Sequence, residues 1–214
     1  MRAEVFDQVT VEITYIVNVT EPFRAMSGGI THWMTLTWRR QGHSLAYSRG
    51  PMSNTRSAQL AEQFEAAHDA FIRLVESLNE EQWHLAGKNF PQRLNDEDEG
   101  RPLGVIAHHV ATNGDWIMQR IQTMLAGGPL APVNTRAVNS EHARTHADVT
   151  KDEVLRLLRA SKPRIAEAVR AIPDNQLDVQ RETPAGPMSA AQRVERVLIG
   201  HMQQHQGSIE AAIK

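Results

Sequence analysis

Two histidines four residues apart, in the segment His201-x-x-x-His205-x-Gly207, are the sharpest chemical feature of the sequence. On a helix, residues at this spacing project from one face about one turn apart, so two imidazoles can reach a single ion. At about 100° per residue, Val194, Leu198, His201 and His205 fall within roughly 60° of one another, which turns both rings toward a core. Imidazoles buried among aliphatic side chains lose their hydration and need a donor, an acceptor or a metal in its place. The chain holds 10 histidines and no cysteine, so a metal must be held by imidazole or carboxylate, and thiol chemistry needs an external thiol.

The remaining histidines divide by position. Relative to Ile106, Asn113 and Ile117, His109 lies about 60° off centre and His108 about 160° away, so His109 is expected to face inward and His108 to face water. Taken alone, His109 reads as a boundary histidine bonded to a carbonyl; its pairing with His201 and His205 makes it a ligand candidate. His142 and His146 repeat the four-residue spacing, but in a polar stretch without an apolar stripe, and are expected to be solvated. His68 shares a stripe with Phe64, Phe71 and Val75, and two roles stay open for it: partner to the ligands, or alternative ligand. Asn113 and Ser208 read as hydrogen-bonding groups at the core edge. Asp115 is an acid near this region, but no general base is assigned.

These side chains need helices to position them. From Ser53 onward the apolar period is helical, with Leu60, Phe64, Phe71, Val75 and Leu78 along one stripe. A second helix follows Gly100 and Pro102, carries Leu103, Ile106, Val110, Ile117 and Ile121, and stops at Gly127-Gly128-Pro129. The polar stretch from Gly127 to Val149 is longer than the roughly 2–8 residues that join antiparallel neighbours, and predicts a crossover along a bundle. Helix three opens on the capping box Thr150-Lys151-Asp152-Glu153 and buries Val154, Leu158, Ile165 and Val169. Helix four runs from about Met188 to Ile213. A faint repeat accompanies them: Leu78-Asn79-Glu80-Glu81-Gln82-Trp83 echoes Ile172-Pro173-Asp174-Asn175-Gln176-Leu177, and Ile106-Ala107-His108-His109-Val110 echoes Leu198-Ile199-Gly200-His201-Met202. The simplest architecture is two helical hairpins with a histidine at the matching point of each second helix.

The expected fold is therefore all-α: a four-helix bundle over residues 52–214 with a long crossover between helices two and three. Residues 1–51 differ, with period-2 alternation at Val9, Val11, Ile13 and Tyr15 and at Met34, Leu36 and Trp38, which reads as two strands in a short N-terminal extension. Two strands alone are marginal. The alternative is an upstream start, with the natural protein beginning at Met52.

A formal net charge of −2, from 23 basic and 25 acidic residues, supplies no field to recruit nucleic acid or an anionic membrane. No apolar run approaches the roughly 20 residues of a membrane helix, and no basic-then-apolar secretion signal opens the chain, so a cytoplasmic protein is expected.

The segment Leu103-Gly104-Val105-Ile106-Ala107-His108-His109-Val110, the terminal His201-x-x-x-His205-x-Gly207 and the long link together resemble the DinB-like superfamily of bacterial metal-binding four-helix bundles. The resemblance covers about residues 53 to 214. It implies a metal held by His109, His201 and His205 with positions left open; imidazole donors suit a divalent zinc ion first and accept nickel, iron or copper as alternatives. Where the family often has a glutamine after the terminal glycine, this chain has Ser208. The resemblance also implies activities: thiol S-transfer using bacillithiol or mycothiol, mycothiol-dependent maleylpyruvate isomerisation, or metal-dependent hydrolysis. The expected partners are a low-molecular-weight thiol or another small-molecule substrate, and a second copy in a homodimer. The competing expectation is a non-catalytic, stress-associated bundle whose metal is structural or absent.

Overall fold

The structure is a computed structural model that describes residues 55–88 and 100–214. The expected N-terminal strands and the alternative start at Met52 lie outside the described residues.

Seven helices occur among the described residues: α1 (Arg56–Ser77), α2 (Glu80–Trp83), α3 (Leu103–Leu125), α4 (Thr135–Thr145), α5 (Lys151–Arg170), α6 (Ala190–Arg193) and α7 (Gly200–Ala212). No strand longer than an isolated bridge accompanies them there. Helices α6 and α7 are joined without a break through a π-helical turn, Val194–Ile199, so the last long rod runs from Ala190 to Ala212. With α1, α3 and α5 it makes the expected four-helix bundle.

The starts of α1, α5 and α6 are each set by a local hydrogen bond that satisfies an orphan helix N–H. Thr55 accepts from the Ala58 N–H at the head of α1, Thr150 from Glu153 at α5, and Ser189 from Gln192 at α6, where the Gln192 side chain returns the bond. Asp174 adds a cap from across the bundle: its carboxylate accepts from the Arg56 and Ser57 N–H groups at 3.0 Å each. Those bonds hold its pKa below the usual carboxylate value.

An ion-pair ladder fixes the direction of α5 on α1. Glu65 meets Arg170, Asp69 meets Lys162 and Glu76 meets Arg159 at 2.6, 2.6 and 2.7 Å, which sets the two helices antiparallel. Helix α3 runs parallel to α5. Its first turn lies beside Trp83, whose indole Nε1 donates to the Val149 carbonyl at 3.0 Å just before α5, and Asp115 further along pairs with Arg164. A parallel neighbour requires a link that returns along the bundle, and residues 126–150 provide it, as the length of that stretch predicts.

Two details differ from the sequence reading. The link is not aperiodic coil, because Asn134 caps an 11-residue helix, α4, within it. The main packing partner of α1 is α5 rather than α3, so the two halves interlock instead of standing as separate hairpins. The echo between halves nevertheless has a structural counterpart. After α1 and again after α5 comes a short helical turn, Glu80–Trp83 and Asp174–Gln176, bracketed by buried apolar residues: Leu78 and Trp83, then Ile172 and Leu177. An isolated antiparallel bridge follows each, Ala86 with Pro102 and Arg181 with Met188, just before the next long helix.

The core contains the predicted apolar positions of all four rods, among them Leu60, Phe64, Phe71, Val75, Ile106, Ile117, Ile121, Val154, Leu158, Ile165, Val169, Val194, Leu198 and Ile209. Among the described residues no helix is long and apolar enough to cross a membrane.

Candidate metal centre

Helices α3 and α7 cross near the histidines. His109 Nε2 lies 3.1 Å from His201 Nε2, and His205 Nε2 lies 3.1 Å from the same atom. The His201 and His205 rings stand nearly perpendicular, with centroids 4.5 Å apart, and His109 meets each at 5.1 Å. His109 and His205 are buried and His201 half-buried. Asn113, one turn along α3 from His109, brings its side-chain nitrogen to 3.4 Å from His201 Nε2.

This convergence poses a hydrogen-bonding problem. A ring nitrogen carries either one hydrogen or one lone pair, so His201 Nε2 can serve one imidazole neighbour well but not two. A cation resolves it by accepting all three lone pairs. Tetrahedral bonds of about 2.0–2.1 Å place ligand nitrogens about 3.3 Å apart, close to the spacing found here. Burial pushes the His109 pKa well below the ordinary histidine value, reinforced by His201, His205, Arg101 and His142 nearby, so the ring presents a lone pair at neutral pH. The three donors fit a divalent transition metal, and one ligand atom from each lies within 4.8 Å of the others.

Other candidates fall elsewhere. His68 is 2 % exposed on α1, with its ring 5.2 Å from Phe64, and joins no histidine group. Its Nδ1 has no hydrogen-bond partner among the described residues, and burial, with Lys162 nearby, lowers its pKa to about 4. Asp115 is occupied on the surface by the Arg164 guanidinium, at 3.0 and 2.9 Å. Ser208 behaves as the expected core-edge hydrogen-bonder: fully buried, it donates to the Lys88 carbonyl.

The reading of His108, His142 and His146 is corrected. His108 is 3 % exposed rather than facing water, and His142 and His146 are half-buried against it rather than solvated. His108 Nδ1 lies 2.9 Å from His142 Nε2, and the His108 ring sits 4.1 Å from that of His146. The inward arc of α3 is wider than one stripe: Leu103 through Ala111 are all buried, because this half of the helix is enclosed on every side. Adjacent histidines can then both be internal. The only available signal was the second four-residue histidine spacing, and a helix without a buried side chain concealed it.

No curated protein matches the chain. The family model of the DinB superfamily matches residues 57–209, from the first turn of α1 to nearly the end of α7, and with that span, the four-rod bundle and the histidines of α3 and α7 in place, the chain belongs to the DinB superfamily.

Proposed function

We propose that the protein is a metal-dependent enzyme acting on a small molecule, with His109, His201 and His205 holding one divalent ion, zinc in the first instance, and a low-molecular-weight thiol or water as nucleophile. The observation that carries this reading is the approach of three Nε2 atoms at 3.1 Å steps with no carboxylate among them. A divalent ion with three imidazole donors keeps a position for an outside ligand and, as a Lewis acid, lowers the pKa of a thiol or water into the neutral range. The protein's own groups prepare that site. Helices α3 and α7 preset the three rings and burial keeps His109 neutral, while the Asn113 side chain stands at the edge of the triad, 3.4 Å from His201 Nε2. The absence of cysteine from the sequence makes a thiol nucleophile an external one.

Thiol transfer is favoured over hydrolysis as the first activity to test, and the homodimer belongs to the same proposal. The experiment is metal analysis of the purified chain followed by incubation of the zinc form with a low-molecular-weight thiol and a chromogenic electrophile. Thiol-dependent turnover that disappears in His201→Ala supports the reading. A full zinc complement with neither thiol-dependent turnover nor ester hydrolysis turns it toward the structural-metal alternative.

A further inference from the structure

Beside the triad stands a second group built from the same donor chemistry, and no part of the proposed function uses it. His108 comes from α3, His142 from the last turn of α4 and His146 from the residue that caps it. The three rings pack with centroids 4.1, 4.7 and 5.0 Å apart, and one ligand atom from each lies within 4.8 Å of the others. His108 and His142 point nitrogens at each other across 2.9 Å, while His142 Nδ1 is buried without a hydrogen-bond partner among the described residues.

A hydrogen bond between His108 and His142 accounts for one of these contacts and leaves His146 and the second His142 nitrogen unexplained. The state of α4 adds an independent observation. None of its side chains is buried, and Val138 is 55 % exposed, so the helix has no apolar anchor of its own. A polar helix with no fully buried side chain gains little from packing, yet this one meets the bundle through two imidazoles aimed at a third.

We propose that His108, His142 and His146 form a second binding site for a borderline transition-metal cation such as Zn²⁺, and that the ion clamps α4 against α3. The i,i+4 pair on α4 supplies two donors from one face and the core helix supplies the third. Glu153, near enough to act on His108, brings a negative charge that offsets part of the ion's. The site adjoins the triad: His109 and His142 meet edge-on with centroids 5.4 Å apart, so the two sites share a wall and consecutive residues of α3 feed one each. Two cations so close repel, and the second binds more weakly than the first.

The test uses the full chain and Zn²⁺ alone, with stoichiometry read by calorimetry and by metal analysis after desalting, and folding checked by circular dichroism. The wild type should bind two ions per chain, the double variant His142→Gln/His146→Gln one, and His201→Gln/His205→Gln one. Backbone hydrogen exchange gives a second readout. Saturating Zn²⁺ should slow exchange across residues 135–145 by about tenfold or more in the wild type and not in His142→Gln/His146→Gln. Two ions in that double variant, one ion in the wild type that it retains, or α4 exchange indifferent to Zn²⁺ each overturn the second site. A single ion lost in His142→Gln/His146→Gln but kept in His201→Gln/His205→Gln supports the second site and overturns the proposed function instead.

Discussion

The two histidine groups have the same composition and opposite foundations. His109, His201 and His205 stand on the long rods α3 and α7, whose neighbours fill the core around them, while His142 lies on α4 and His146 caps it, a helix with no fully buried side chain. In the first group geometry precedes any ligand, because moving a ring means moving a packed helix. In the second, geometry depends on a segment that leaves the bundle at small expense. Identical donors thus suit different tasks: a preset site favours catalysis, and a site on a loosely anchored link favours holding that link in place.

The contrast can be broken most severely at its rigid side. His201→Ala should weaken Zn²⁺ binding at the triad by more than about a hundredfold in a competitive chelator titration, since even groups that only orient ligands contribute about 10–100-fold. His68→Ala should leave that affinity unchanged, because His68 joins neither group. Equal losses in both would move the site toward α1.

A lone buried histidine sharpens the comparison through pH. His68 has a pKa of about 4 in the folded chain against 6.5 when exposed. Its folded state therefore refuses a proton that the unfolded state accepts. The stability it contributes is complete above pH 6.5 and is lost as pH falls from 6.5 to 4, by on the order of 3 kcal/mol. Urea unfolding of His68→Gln should show a shallower acid slope than the wild type over that interval; parallel slopes would place the acid sensitivity elsewhere.

Both groups hang from the first half of α3, and Gly104 controls how that half seats. A Cβ there would stand 2.4 Å from the nearest Trp83 ring atom, so the indole must move and its bond to Val149 must stretch. Gly104→Ala should lower stability by about 1–3 kcal/mol, as overpacking does, with a shift in tryptophan emission, and should weaken both groups together. The gentlest change separates them. Asn134→Ala removes the cap of α4 at a cost of about 1 kcal/mol to that helix, and should speed exchange across residues 135–145 while leaving the triad's Zn²⁺ affinity intact.

How far each group was legible in the sequence follows from the same contrast. His201, His205 and His109 lie on helices with an apolar stripe, and an angular argument places them because the stripe tells inside from outside. His108 defeats that argument since α3 is enclosed from Leu103 to Ala111, where no outside exists to point toward. Helix α4 defeats it from the other direction: with no buried face it has no stripe, and only its Asn134 cap and its histidine spacing distinguish it from coil. The rods themselves were legible because each buries a periodic face, whereas the packing of α1 on α5 rests on ion pairs between residues some 80 to 105 apart, such as Glu76 with Arg159 and Glu65 with Arg170, that no local pattern connects.

The π-helical turn before His201 has a consequence for insertions and deletions. Ala190, Val194, Leu198 and Met202 are all buried at a constant spacing of four, which a regular helix of 3.6 residues per turn would carry steadily around its axis. The wider turn at Val194–Ile199, closed by the Gly200 N–H bonding back to Glu195, absorbs that drift. The direction of the two terminal imidazoles is therefore encoded in the number of residues ahead of them as much as in their identity. Removing one residue from the turn would let an ordinary helix keep both rings on the triad, whereas a residue added to or removed from the regular helix beside it, with the turn intact, would swing them by about 100°, so the site can be erased by a change of length that alters none of its ligands.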